Sequence, residues 1–312
     1  MNEMKRAVVE IFGGCNLLCE MCPQATGRGM NWTRKMPLDM FENILDQIPG
    51  KPVVQLEGSG EATLAKDLHK YVRACTDRGM RSYMFTNGML FEGDKMERAI
   101  DAGLSMVRFS INGYDKESYT KTMAGGDYDR VLRNLERTID YVYKSGANTQ
   151  ISTYHLILED HDADDQIRRY RDLVEEFGIY GYVWRMHNWS GNRDDLRSRN
   201  GKIRSCGRPF APELTVRAGG LDGRQAAVTP CCQTMGPPNE DKSVLGHLDS
   251  QSLEDVWNGD LYEDLRERHR TGDWPDYCKD CDFLIDDPEV LVWSNDPEAG
   301  VNKMLGTDLK LR

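Results

Sequence analysis

No run of apolar residues in the chain approaches the roughly 20 that a membrane-spanning helix needs, so no membrane partner is expected. No block of Lys or Arg stands against the net charge of −11. Non-specific binding to phosphate backbones draws on clustered positive charge, so a nucleic-acid partner is not expected either. The acidic excess reads as a solvated surface. No secretory leader is expected: Lys5 and Arg6 are followed only by Ala7–Phe12 before two glycines, too short for an apolar leader region. Internal repeats and low-complexity tracts are absent. Cysteines number nine, an odd count that, without a leader, argues against a disulfide framework. What remains is a cytoplasmic protein of ordinary globular composition, 39% hydrophobic and 29% charged. Its 312 residues suffice for one large domain and a smaller appendage.

The cysteines are unevenly placed. Cys15, Cys19 and Cys22 fall near the start, Cys75 lies within a helical pattern, and Cys206, Cys231, Cys232, Cys278 and Cys281 follow residue 205. Clustered thiols in a reducing compartment read first as metal ligands, and Cys75 as a small core residue. From Ala7 to Met186 short β-rich runs alternate with amphipathic segments. Strands are expected at Ala7–Phe12, Val53–Glu57, Arg81–Thr86, Met106–Ser110, Thr149–Leu158 and Tyr180–Met186. Helices are expected at Pro37–Gln47, Leu64–Arg78, Asp94–Ala102, Asp129–Ser145 and Ala163–Phe177, with Gly79 and Gly146 as C-terminal caps. This alternation implies a parallel sheet with right-handed crossovers, and six units predict a partly open barrel. Ser190–Ser205 is polar and reads as a linker. Glu213–Val216 and Ala226–Thr229 flank Gly219-Gly220 and Asp222-Gly223 as a hairpin, and Ser252–Arg270 reads as a helix capped by Ser252 and Asp255.

The run Gly13-Gly14-Cys15-Asn16-Leu17-Leu18-Cys19-Glu20-Met21-Cys22 follows the first strand. Three thiolates spaced x3 then x2 can wrap one face of an iron–sulfur cube, and the glycines permit the bend. No fourth cysteine comes before Cys75, so one metal position stays open, the logic of a reactive site. The alternative is a zinc knuckle or buried free thiols. Cys-x3-Cys-x2-Cys after the first strand of a β/α barrel resembles the radical S-adenosylmethionine superfamily. In that family the cofactor's amino and carboxylate groups occupy the open iron, and one electron cleaves the sulfonium to give a 5′-deoxyadenosyl radical that abstracts hydrogen. The stretch Glu57-Gly58-Ser59-Gly60-Glu61 is similar to the family's glycine-rich element that accepts the cofactor's amino group. The resemblance implies cofactor contacts at Met21, Gly58, Gly60, Glu61, Asn87 and Ser110. Met21 departs from the family's usual aromatic residue before the third cysteine.

The later cysteines sit in a longer pattern that includes Cys206-Gly-Arg-Pro-Phe, Thr229-Pro-Cys-Cys, Leu245-Gly-His and Cys278-x2-Cys281. This resembles the SPASM/twitch extensions of radical S-adenosylmethionine enzymes. No cysteine follows Cys281, so the resemblance implies a single auxiliary 4Fe–4S cluster in addition to the S-adenosylmethionine-binding 4Fe–4S cluster. Its ligands would be Cys206, Cys231, Cys278 and Cys281, with Cys232 as the alternative to Cys231. Four cysteines with a CxxC suit a zinc site equally well. The expected architecture is α/β: a partial (β/α)6 TIM-like barrel over 1–189, a linker over 190–205, a small α+β twitch domain over 206–290 and a tail over 291–312.

Barrel enzymes collect substrate groups at strand ends. The sixth strand ends in Trp184-Arg185-Met186-His187-Asn188-Trp189, so Arg185 is the candidate to hold a polar group and His187 to take a proton. His155 reads as a satisfied core histidine. The resemblance implies hydrogen abstraction from a small polar substrate or a peptide, with an external electron donor such as flavodoxin or ferredoxin. Dehydrogenation of a polar alcohol comes first, with the auxiliary cluster as electron acceptor. Epimerisation with Cys232 as hydrogen donor comes next, then peptide modification. A non-catalytic iron–sulfur or zinc protein is the reading from another class.

Overall fold

The computed structural model describes residues 3–26, 34–158, 162–196, 205–219, 223–234, 242–284 and 291–299. Six parallel strands come from the expected segments: β1 (Arg6–Val9), β2 (Val53–Gln55), β3 (Arg81–Thr86), β4 (Met106–Ser110), β5 (Gln150–Ile157) and β6 (Tyr180–Arg185). They stand side by side in sequence order, the arrangement of a partial (β/α)6 barrel. The helices between them are α1 (Leu38–Gln47), α2 (Leu68–Asp77), α3 (Gly93–Asp101), α4 (Lys116–Thr122), α5 (Tyr128–Ser145) and α6 (Ala163–Phe177). Gly146 and Gly178 close α5 and α6 in the left-handed conformation, at φ 67° and 63°. The helix expected from Leu64 begins only at Leu68, because Ala62–Leu64 is a separate 3-10 turn.

Alternate residues along each strand face opposite sides. The outer face packs on the helices: Leu56, Met84, Val107 and Phe109 join Phe41, Ile44, Val72 and Val131 in one buried core. Each such side chain contributes about 1.5–3 kcal/mol by leaving water. Cys75 is fully buried in that core. His155 lies on the outer face, its ring stacked on Tyr170 at 5.2 Å and its Nε2 2.8 Å from Gln166 Oε1. Burial lowers its pKa to about 4, so it is neutral.

The sheet does not stop at the barrel. The strand β7 (Glu213–Gly219) pairs parallel with β1, and β8 (Gln225–Thr229) and β9 (Gly246–His247) follow antiparallel. The turn residues Gly220 and Asp222, and half of the predicted linker (197–204), lie outside the described residues. Part of the expected tail is an edge strand, β10 (Leu291–Ser294), antiparallel to β6. The predicted helix at Ser252–Arg270 is two: α7 (Leu253–Trp257) and α8 (Asp260–Thr271). The break is at Gly259, where a Cβ would stand 2.7 Å from Asp255 O. The Ser252 cap forms as expected, accepting from Asp255 N–H at 3.1 Å. A one-turn helix, α9 (Asp276–Lys279), carries Cys278.

Candidate active site

After β1 the chain bridges to Lys35 at Phe12, and Gly13 N–H donates to Arg34 O at 2.8 Å. The loop that follows carries Cys15, Cys19 and Cys22, all partly exposed and none in a disulfide. Its backbone is held by the turn after α4: Leu18 N–H donates to Ala124 O and Glu20 N–H to Thr122 O, both at 2.9 Å. Burial pushes the Cys15 thiol up to about 12, and Glu61 and Cys22 add to the shift. Cys19 and Cys22 are raised as well, burial again first. Thiols held protonated in this way become ligands only when a cation's charge meets them, so the donor set fits a metal cluster.

Three neighbouring loops close around the cysteines. A Cβ on Gly60 would lie 2.2 Å from Phe12 O and 2.5 Å from Gly14 O, so only glycine lets this loop lie on the cysteine loop. Gly58 is confined in the same way by the Glu10 side chain. Glu61 N–H donates to Gly14 O at 2.8 Å. The Glu61 carboxylate is already engaged: Oε1 accepts from Thr63 N–H, Thr63 Oγ1 and Thr86 Oγ1, and Oε2 from Asn87 N–H at 2.8 Å. It therefore ties the second loop to the third. Asn87 in turn donates to Asn16 Oδ1 at 2.9 Å and stands 3.9 Å from Cys15 Sγ. Ser110 ends β4 on the inner face, hydrogen-bonded to Tyr154. Met21 is buried, with Asn112 Nδ2 3.9 Å from its sulfur.

Sequence reasoning gave no role to the strap that follows β6, Asn188–Arg193. The indole of Trp189 donates to Met21 O at 2.8 Å, and Arg193 donates to Glu20 O and Cys22 O. On its other side, Asn188 N–H donates to Asp282 Oδ2 at 2.9 Å and Asn188 Nδ2 to Asp280 O at 2.7 Å. Ser190 Oγ donates to Tyr277 O. Trp189 and Ser190 have φ of 49° and 57°, a left-handed pair without glycine. Such backbone strain persists only where the surroundings over-determine it.

The second cysteine site is a cavity lined by Cys206, Cys231, Cys278 and Cys281, with Ser190 of the strap and Arg208. Cys232 does not line it; its sulfur lies 3.6 Å from Arg208 Nη1. Among the described residues no three His, Cys, Asp or Glu side chains stand close enough to share a single ion. That four cysteines line one cavity without forming a single-ion site suits a cluster, whose iron and sulfide atoms keep its ligands apart.

The Radical SAM superfamily pattern matches residues 9–173, and an iron–sulfur cluster-binding domain of the SPASM type matches residues 222–282. The chain belongs to the radical SAM superfamily. An AdoMet-dependent heme synthase from Methanosarcina barkeri is 28% identical over 178 residues, 55% of this chain and 48% of that protein. The chain thus spans about half the length of that curated relative, and a smaller share of an Fe-coproporphyrin III synthase from the same organism, which is 27% identical over 44% of this chain and 35% of that protein. Among solved structures, BtrN in complex with AdoMet and 2-DOIA superposes with a TM-score of 0.58 at 17% identity, covering 90% of this chain and 94% of that one. Streptococcus suis SuiB bound to precursor peptide SuiA gives 0.67 at 16% identity, covering 90% and 70%. These likenesses show a shared fold.

As a radical SAM protein with a SPASM-type domain, the chain has S-adenosylmethionine and iron–sulfur clusters as its cofactors. No helix among the described residues is long and apolar enough to cross a membrane. Arg185 falls on the strand face of Val183, which packs outward with Tyr170 and Val174, while the neighbouring Trp184 faces inward beside Phe283 and Cys281. His187 stands at the mouth, 4.5 Å from the Trp189 ring and 5.3 Å from that of Phe283, and its Nδ1 accepts from Trp189 N–H at 3.2 Å. The cavity lining separates the two adjacent cysteines. Changing Cys231 to serine is expected to remove about four irons per chain and Cys232 to serine none, as measured by iron and sulfide analysis of anaerobically purified protein.

Proposed function

We propose that the chain abstracts hydrogen from a polar substrate at the barrel mouth and oxidises it by two electrons. The supporting observation is the strap: one short segment touches both the Glu20–Cys22 carbonyls and the Tyr277–Asp282 segment, so both cysteine sites flank one mouth. Cys15, Cys19 and Cys22 would hold the first 4Fe–4S cluster, leaving one iron for S-adenosylmethionine. Cys206, Cys231, Cys278 and Cys281 would hold the second. When bound, these groups supply a hydrogen-abstracting carbon radical at one side and an electron acceptor at the other. The chain's own residues orient and enclose. Gly58 and Gly60 let backbone approach the cofactor, Asn87 and Ser110 present polar groups at successive strand ends, and Glu61 locks the loops that carry them. His187, at the strand end, would take the proton released when a substrate C–H and O–H become a carbonyl.

The test is anaerobic incubation of the reconstituted protein with S-adenosylmethionine, dithionite and candidate deuterated alcohols. Label is expected in 5′-deoxyadenosine, with a carbonyl product and no solvent deuterium in it. Absence of any 5′-deoxyadenosine would overturn the reading. One deuteron from solvent on an otherwise unchanged substrate carbon would replace oxidation by epimerisation.

A further inference from the structure

The two faces of the barrel strands differ in burial. Outward residues Leu56, Met84, Val107, Phe109, Ile157 and Val183 are all closed off from solvent. On the inner face Glu57, Phe85, Arg108, Tyr154, Leu156 and Trp184 keep partial exposure, while Gln55, Tyr83, Ser110, Ser152 and Tyr182 are buried. The inner face is thus less tightly closed than the outer one, and aromatic rings make up much of it.

Three polar groups on the inner face have capacity to spare. Arg108 is fixed from two directions: its Nε donates to Ser152 Oγ at 3.0 Å, and its Cζ lies 3.8 Å from the centre of the Tyr182 ring. Its two terminal amino groups have no hydrogen bond or ion pair among the described residues, leaving a preorganised fork edge. Glu57, just past β2, has no hydrogen bond or ion pair among the described residues either. Burial pushes its carboxyl up to about 7, against the pull of Arg6 and Arg108. Tyr83 is 6% exposed, and its buried hydroxyl has no partner among the described residues. Tyr154 lies between these groups and the cysteine loop, near enough to feel both Glu57 and Cys19. Buried polar groups are ordinarily satisfied, and a set that is not calls for a ligand.

We propose that Arg108, Glu57 and Tyr83 form the substrate-recognition site and that the substrate is a hydroxy- or amino-carboxylate. The carboxylate would take the terminal edge of Arg108, the hydroxyl or amine would donate to Glu57, and Phe85 and Tyr154 would cover the carbon skeleton. This deepens the oxidation reading and rests on it for the reaction, though not for the binding.

The experiment is calorimetric titration of the reconstituted full chain with gluconate, L-serine and L-tyrosine, with glucose and glycerol as neutral controls. At least one carboxylate is expected to bind, neither control to bind comparably, and Arg108→Lys to weaken the bound carboxylate about tenfold by losing the fork. Tyr83→Phe, which removes only an unsatisfied hydroxyl and leaves folding intact, is expected to weaken it a few-fold. The site is overturned if no carboxylate binds, if the neutral controls bind as well, or if Tyr83→Phe and a folded Arg108→Lys leave affinity unchanged. Reductive cleavage of S-adenosylmethionine is followed in the same samples. Carboxylate binding without 5′-deoxyadenosine sinks the radical reading alone, and 5′-deoxyadenosine without binding sinks the site alone.

Discussion

Changing Cys19 to alanine is expected to leave a folded protein that has lost about half its iron, about four of eight per chain, and all reductive cleavage of S-adenosylmethionine. Cys19 sits in a loop without regular structure and only borders the core, so removing its sulfur costs little packing. The chemistry has no such margin. Three thiolates leave one position open; with two, the cube loses a ligand as well as its hold on the loop, and nothing nearby replaces it. The loop offers only Asn16 and Glu20 beside the cysteines, and Asn16 is already hydrogen-bonded to Asn87. The auxiliary site shares no ligand with the loop, so its iron and its visible absorption should persist. The same result is expected for Cys15 and Cys22, without additivity, because the three act as one unit. Iron analysis and chromatography of 5′-deoxyadenosine check the expectation. Retained cleavage in all three variants would place the radical-generating metal elsewhere.

The sequence points to this candidate centre because three cysteines lie within eight residues and a short β-rich run leads into them. The parallel strands were legible for the same reason: their apolar runs are short, β-rich and separated by helical patterns of ordinary length. Helix α4 was not, since Lys116–Thr122 buries only Tyr119 and shows no apolar periodicity. Its one local signal is the Asp115–Ser118 capping box. The strap was hidden for a different reason. Trp189 and Met21 are 168 positions apart, and their bond runs to a backbone carbonyl, which carries no residue identity. Glu57 stands out in the sequence only as the first residue of the glycine-rich stretch and Arg108 not at all, because their shared inward face depends on barrel closure. Glu61 is expected from the sequence to contact the cofactor, and its part in bracing Thr63, Thr86 and Asn87 has no sequence signal. Local pattern thus marks the candidate ligands, while the residues that hold their loops depend on contacts between distant segments.

The same dependence on distant contacts makes Glu10 the position where a single change should do the most damage to the fold. Glu10 follows β1 and is 1% exposed. Its carboxylate accepts from Ser59 N–H and Ser59 Oγ, both at 2.6 Å, from Ala218 N–H at 3.3 Å, and pairs with Arg34 Nε at 2.8 Å. One side chain therefore joins the glycine-rich loop, the Arg34–Lys35 segment and β7. Both charges of the pair are 1% exposed, so removing one leaves the other buried. Glu10→Ala is expected to destabilise the protein by about 3–5 kcal/mol, the usual cost of breaking such a pair. Replacing both, Glu10→Leu with Arg34→Met, should recover much of that loss, since the unpaired charge goes with its partner. Burial by itself would raise the Glu10 carboxyl, but Arg34, Ser59 and Arg217 outweigh it and hold it below the ordinary value of 4.5. A depressed carboxyl contributes its full stability above that ordinary value and loses it as pH falls through the folded-state value. The gap between wild type and Glu10→Ala in urea denaturation should accordingly be constant from neutrality down to about pH 5 and narrow below it. A gap that stayed constant in stronger acid would mean that Glu10 serves by its shape and hydrogen bonds, with its charge contributing nothing.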